Sequence, residues 1–212
     1  MQDLQFNSSD LAAMDSRYRA AFINSLGGFK SVVMIGTQNT AGQTNLAIFN
    51  SLIHLGASPA LCAFIIRPDA SPRHTLENIL ETGVYTINHL NEPIYKAAHH
   101  TSARFPREMS EFEATGLTAS YIDGISAPFV AESRLSFACE YKQHIPIELN
   151  GTTLMIGQIM HINIPENCLL PDGFVDIEKA GSLTVSGLDS YHSTQRLARL
   201  SYAKPKTPPQ EI

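Results

Sequence analysis

Strand-like apolar runs outnumber helical ones along this chain of 212 residues, and the two kinds do not alternate strictly. A doubly wound parallel sheet needs that alternation. The expected fold is therefore all-β, a closed antiparallel β-barrel with helical insertions. KSVVMIGTQ reads as a strand and residues 39–42 as a turn in which Gly42 can take a positive φ. TNLAIFNSLIHLG then reads as the returning strand of a hairpin. PALCAFIIRP is continuously apolar between prolines, as in a strand buried on both faces. GVYTINHL, ESRLSFACEYKQH and TTLMIGQIMHINI extend the strand set.

The helical signals are fewer. Leu11, Met14, Tyr18, Phe22 and Leu26 recur at helical spacing behind a cap at Ser9 or Asp10, giving one helix to about Asn24 before Gly27 and Gly28 stop it. A second helix is expected with Ser71 as its N-cap and Pro72 at its first position, its buried stripe being Leu76, Ile79 and Leu80. EPIYKAAHH is a short helix and PREMSEFEAT another, closed by Gly116. The chain divides into an N-terminal helical segment (1–28), a barrel domain (29–164) and a C-terminal extension (165–212) packing on the barrel or on a partner. The tail of that extension, KPKTPPQEI, is Pro-rich and expected to be loose.

Composition narrows the function. With 43% apolar and 17% charged residues the chain is globular. A net charge of −5 provides no broad field for nucleic acid. The polar start MQDLQFNSSD is no secretory signal, and no apolar run approaches the roughly 20 residues that span a bilayer. Cys62, Cys139 and Cys168 are odd in number, lack metal spacing and read as small buried hydrophobes of a reduced, cytoplasmic protein. No metal site is expected.

Three stretches carry chemistry. In residues 65–78, IIRPDASPRHTLEN, a buried strand ends at Arg67, and Arg73, His74, Thr75 and Asn78 follow at a helix start. Unpaired backbone N–H groups, guanidinium groups and a hydroxyl together suit a phosphate monoester, though a solvated helix start has the same composition. In TNLAIFNSLIHL, the polar residues Asn45, Asn50 and Ser51 interrupt a strand beside Phe49. Such groups can hydrogen-bond a flat heterocycle, or mark a strand end with locally satisfied polar groups. In HHTSARF, the small residues Thr101, Ser102 and Ala103 would let a planar ring approach the backbone. The adjacent His99 and His100 are poorly placed to share one metal.

The ordered set TNLAIFNSL, SPAL, FIIRP, RHTLENILETGVYTINH, SEFEATGL and IGQI resembles the flavin reductase family with the FMN-binding split barrel, over roughly residues 29–164. The resemblance implies a Greek-key split barrel, usually homodimeric, with FMN at or near the dimer interface. It implies that Arg67, Arg73, His74 and Thr75 surround the FMN phosphate, with Asn78 supporting that turn. Asn45, Phe49, Asn50 and Ser51 would border the ring and ribityl chain, and Thr101, Ser102 and Ala103 would come from the following loop. Such proteins move hydride or electrons between NAD(P)H, or another donor, and flavin.

One departure stands out. Many members that oxidise NADH efficiently carry a G-x-H pattern before the IG strand, where this chain has Gly151, Thr152 and Thr153. His144 and His161 lie nearby in sequence without a shown role. FMN binding is thus better supported than NAD(P)H oxidation. A non-enzymatic FMN-binding electron-transfer module is one alternative. A related split barrel holding haem on His99 or His100 is another. No catalytic acid–base group is singled out.

Overall fold

The computed structural model describes residues 3–68 and 72–212. It opens with two helices, α1 (Ser8–Ala13) and α2 (Ser16–Leu26), where one was expected. The division has a local cause. Asn7 and Asp10 form a reciprocal capping box on α1, and the Asp15 carboxylate accepts from the N–H groups of Arg17 and Tyr18, restarting the helix as a second N-cap. Neither helix buries a residue fully; of the apolar stripe read from sequence, Leu11, Met14 and Phe22 are half-buried and Tyr18 and Leu26 are exposed.

The strands follow as β1 (Lys30–Ser31), β2 (Val33–Gln38), β3 (Thr44–Phe49), β4 (Ile53–Ala57) and β5 (Ala60–Ile66). Next come α3 (His74–Thr82), β6 (Val84–His89), α4 (Tyr95–His100) and α5 (Glu111–Thr115). The chain then forms β7 (Ala119–Ile122), β8 (Ile125–Val130), β9 (Ser136–Ile147), β10 (Thr152–Asn163), β11 (Thr184–Ser186) and β12 (Ser190–His192). Two helix starts differ from expectation. Ser71 lies outside the described residues, and Pro72 precedes a helix whose N-cap position is Arg73. In PREMSEFEAT only Glu111–Thr115 is helical, closed by Gly116 at φ 74°.

Seven strands form one antiparallel sheet in the order β3-β2-β6-β9-β10-β5-β4. Its edge strands β3 and β4 are consecutive in the chain, joined by residues 50–52 alone, and such a link reaches at most about 14 Å. The sheet must therefore curl until its edges adjoin. The ring of Phe49 on β3 meets Phe64 on β5 at 5.1 Å, although four strands separate β3 from β5 in the sheet order. The expected closed barrel is nonetheless corrected: among the described residues no hydrogen-bonded pairing joins β3 to β4, so the mostly-β fold is a curled, open sheet.

Alternation along β2 builds two cores. Val33 and Ile35 point inside the curl with Phe64, Ile79, Tyr85, Ile87, Cys139 and Met155. Met34, with Val32 just before the strand, points outward, where Leu90 after β6, Ile94 at the N-cap of α4, Ala98 on α4, Phe112 on α5 and Val185 on β11 cover them. All three cysteines are buried. The hairpin of β7 and β8 packs on the sheet through Thr86, whose hydroxyl donates to the Pro128 carbonyl at 2.6 Å, and Asn88, which accepts from the Val130 N–H at 3.0 Å. The C-terminal β11–β12 hairpin pairs with β1 and lies over the end of β3, where Asn50 Nδ2 donates to the Gly187 carbonyl at 3.1 Å.

Candidate functional site

A cleft of about 1250 Å³ opens along the split in the sheet. One wall is β3 and the residues after it, with Asn45, Ala47, Phe49, Asn50 and Ser51. A second is the end of β5 at Arg67 together with Arg73, His74 and Thr75 at the start of α3. A third is the loop after α4, with Thr101, Ser102, Ala103, Arg104 and Arg107. Leu188, Asp189 and Tyr191 of the C-terminal hairpin close the far end beside Lys30. Of the residues singled out from sequence, all but Asn78 line this cleft.

Asn78 lies behind the wall, 2% exposed, at the centre of a buried network. Its Nδ2 donates to Thr37 Oγ1 at 3.1 Å, and Asn45 Nδ2 donates to Thr75 Oγ1 at 3.0 Å and more weakly to Thr37 Oγ1 at 3.4 Å. On the other side Arg107 Nη2 donates to Asn78 Oδ1 at 3.0 Å, while Arg107 Nη1 pairs with Glu77. The network joins β2, β3, α3 and the loop after α4. Its physical effect is to fix the first turn of α3 against the sheet edge.

Several expected contact residues are tied to the fold. The Ser51 hydroxyl accepts from the Ile65 N–H at 3.0 Å, which pins the β3–β4 link to β5. Asn50 reaches Gly187 as described, and the Thr101 hydroxyl donates to the Ala98 carbonyl at 2.7 Å. Asn50 and Ser51 thus follow the end of β3 while Asn45 lies within it, and all three are paired across the fold. The same groups line the cleft.

The cationic end has a different character. Arg73, at the N-cap position of α3, makes no side-chain cap bond, and among the described residues the first-turn N–H groups have no side-chain acceptor. Arg73 folds back, donating from Nε and Nη2 to the Pro68 carbonyl at 3.2 and 2.6 Å. Arg67 and Arg104 form no salt bridge among the described residues. Glu111 sits buried on the floor and accepts from the Leu46 N–H at 3.0 Å; burial chiefly pushes its carboxyl above the usual range, against the pull of that N–H.

At the opposite end the Tyr191 hydroxyl and His99 Nδ1 are hydrogen-bonded at 2.7 Å. Burial, with a smaller push from Asp189, raises the Tyr191 phenol to about 12. His100 packs edge-on against Phe105. Arg104, Arg107, Lys30 and Tyr191 were not identified from sequence. RFPR offered a signal for the two arginines, as basic residues just beyond TSA; GLDSY, a weaker part of the resemblance, ends in Tyr191, but its contact with His99 spans 92 positions and was not legible.

Comparison with known proteins places these features in context. Residues 26–178 match the family model described as "Flavin reductase like domain". The chain is 30% identical over 155 residues to the uncharacterized protein BH2278 of Halalkalibacterium halodurans, covering 70% of this chain and 74% of that one. A crystal structure from Shewanella frigidimarina, assigned as a flavin reductase with split barrel domain, superposes with a TM-score of 0.92 at 49% identity, over 95% of this chain and 100% of the other. Nitrilotriacetate monooxygenase component B from Bacillus cereus shares the fold at 21% identity, with a TM-score of 0.81 over 94% and 100% of the two chains.

Proposed function

Since the chain belongs to the flavin reductase like domain family, we propose that it holds FMN in the cleft and passes hydride or electrons between a nicotinamide, or another donor, and that flavin. The observation that carries this reading is one cleft lined both by the start of α3, at His74 and Thr75, where Arg73 supplies no side-chain cap, and by the guanidinium groups of Arg67, Arg73 and Arg104. Backbone N–H groups and guanidinium groups suit a phosphate monoester, and that end offers both. The wall at Phe49 and the small residues Ser102 and Ala103 suit a planar ring. Single-ligand pockets run to roughly 1,000 Å³, so the cleft also has room for a second reactant.

Bound flavin would supply the two-electron chemistry, and the protein supplies binding and orientation. Arg67, Arg73 and Thr75 would hold the phosphate. Phe49 and the 101–103 loop would hold the ring between them, and the Asn45–Thr37–Asn78 network would keep both ends in register. The fitting test is a fluorescence titration with FMN and riboflavin, followed by aerobic addition of NADH and NADPH. Tighter binding of FMN, by about tenfold or more on the scale of one lost charge-assisted hydrogen bond, supports the phosphate site. Equal affinities would place the phosphate elsewhere.

A second reading rests on the β9–β10 turn. There Gly151 takes φ 69°, and Thr153, two residues on in β10 and paired with Ile66 and Pro146, stands where the G-x-H pattern has an imidazole. Flavin bound without nicotinamide turnover would favour an electron-transfer module over a reductase.

A further inference from the structure

An anion arriving at the start of α3 meets one already there. Glu77 lies in the first turn of that helix, and its Oε1 accepts from the backbone N–H of Arg73 at 3.3 Å. A carboxylate in this position complements the helix dipole, but it also competes with any other anion for the same field and repels it. A phosphate site beside an uncompensated Glu77 would be self-defeating.

Arg107 supplies the compensation. It comes from the loop after α4, so it belongs to a different part of the chain from the helix it touches. Its Nη1 pairs with Glu77 Oε2 and its Nη2 donates to Asn78 Oδ1 at 3.0 Å. Asn78 is itself held by Thr37, so a buried amide fixes the plane of the guanidinium. One N–H of each Nη is thus committed to α3, which turns that side of the guanidinium toward Glu77 and Asn78.

We propose that Arg107 is a specificity-determining positioning residue. It neutralises Glu77, and so allows the first turn of α3 to accept a phosphate monoester, acting through the carboxylate rather than on the phosphate. This rests on the phosphate site proposed above. The pair is partly exposed, with side chains 31% and 47% accessible, so solvent screening limits the effect to roughly fivefold in affinity.

The test is a double-mutant cycle read by FMN and riboflavin dissociation constants in the full-length protein: Arg107→Ala, Glu77→Gln and the double variant, with Arg107→Lys as a milder fourth form. Gln at position 77 keeps an acceptor for the Arg73 N–H and removes only the charge. Arg107→Ala should weaken FMN about fivefold, and Glu77→Gln should leave FMN unchanged or tighten it a few-fold. The double variant should return to within about twofold of the parent, Arg107→Lys should keep most of the affinity, and riboflavin should not move. A double variant as weak as Arg107→Ala would make Arg107 a direct ligand and overturn the proposal. Loss of both flavins in Glu77→Gln would reduce the pair to a strap between loop and helix, and would overturn it equally. If the parent protein binds FMN and riboflavin equally, the phosphate site fails at the outset and the shielding role falls with it.

Discussion

At the scale of single residues, Gly157 shows how tightly the fold constrains one position of the IGQI stretch. A Cβ placed there would stand 2.0 Å from the Tyr85 hydroxyl, 2.8 Å from Cζ of the same ring and 3.1 Å from Cys139 Cβ. The hydroxyl therefore rests on a backbone with no side chain, among the thiols of Cys62 and Cys139, and has no nitrogen or oxygen partner. Burial above all pushes the Tyr85 phenol far upward. Gly157→Ala should cost about 1–3 kcal/mol or more through overpacking. Tyr85→Phe should be close to neutral or stabilising, because an unpartnered buried hydroxyl costs about 1–3 kcal/mol. Urea denaturation of both variants and the double checks this; an alanine cost unchanged in the Tyr85→Phe background would remove the hydroxyl as its cause. The site residues divide in the same way. Arg73, His74, Thr75 and Asn78 were legible because one helix turn puts them together. Arg107 and Tyr191 were not, because their partners Glu77 and His99 lie 30 and 92 positions away and only folding joins them.

At the scale of elements, the strands that pair locally were readable, and the interruptions were less so. The β7–β8 hairpin does not stand out as a strand pair in the sequence, despite Asp123-Gly124 between two apolar runs, a short-range hairpin signal with Gly124 at φ 82°. The end of β3 at Asn50 was visible as polarity, but its meaning as a sheet edge needed the partner Gly187. The C-terminal segment was expected to pack on the barrel or on a partner, but its contact with β6 was not legible, and that contact carries a pH signature. His89 ends β6, is half-buried, and is hydrogen-bonded through Nδ1 to the Ser182 hydroxyl at 2.9 Å. Burial pushes its imidazole from the ordinary 6.5 down to about 4. The folded state then holds fewer protons than the unfolded one between these values. Stability contributed by neutral His89 is complete above about pH 6.5 and lost as pH falls toward 4. The loss by pH 4.5 is on the order of 2–3 kcal/mol. Comparing urea midpoints at pH 7 and 4.5 for the parent and His89→Gln tests this; equal acid sensitivity in both would assign the loss to other groups.

At the scale of the whole molecule, the fold class followed from the strand count, but closure did not, because periodicity reports which face is buried and not whether two edges meet. The same openness leaves apolar surface that one chain does not cover. Tyr18, Ile23 and Leu26 of α2 and the following Phe29 are 44–71% exposed, and Ile53 and Leu55 on the unpaired edge strand β4 are about half exposed. Scattered exposed apolar residues are ordinary, but an apolar helix stripe together with an apolar sheet edge marks a surface suited to association. A second copy of the chain is the simplest partner, since a two-fold axis lets one patch serve both sides. A dimer is therefore expected in solution, with an obligate interface on the order of 2,000 Å² or more. Light scattering coupled to size exclusion should return the mass of two chains for the parent. Leu55→Glu, which sets two like charges against each other across an axis near β4, should shift the protein toward the mass of one. If the parent already runs as a monomer while FMN stays bound, the dimer is wrong and the cleft is completed within a single chain. If Leu55→Glu stays dimeric while a charge at Leu26 or Phe29 dissociates it, the shared surface is α2 rather than the edge of the sheet.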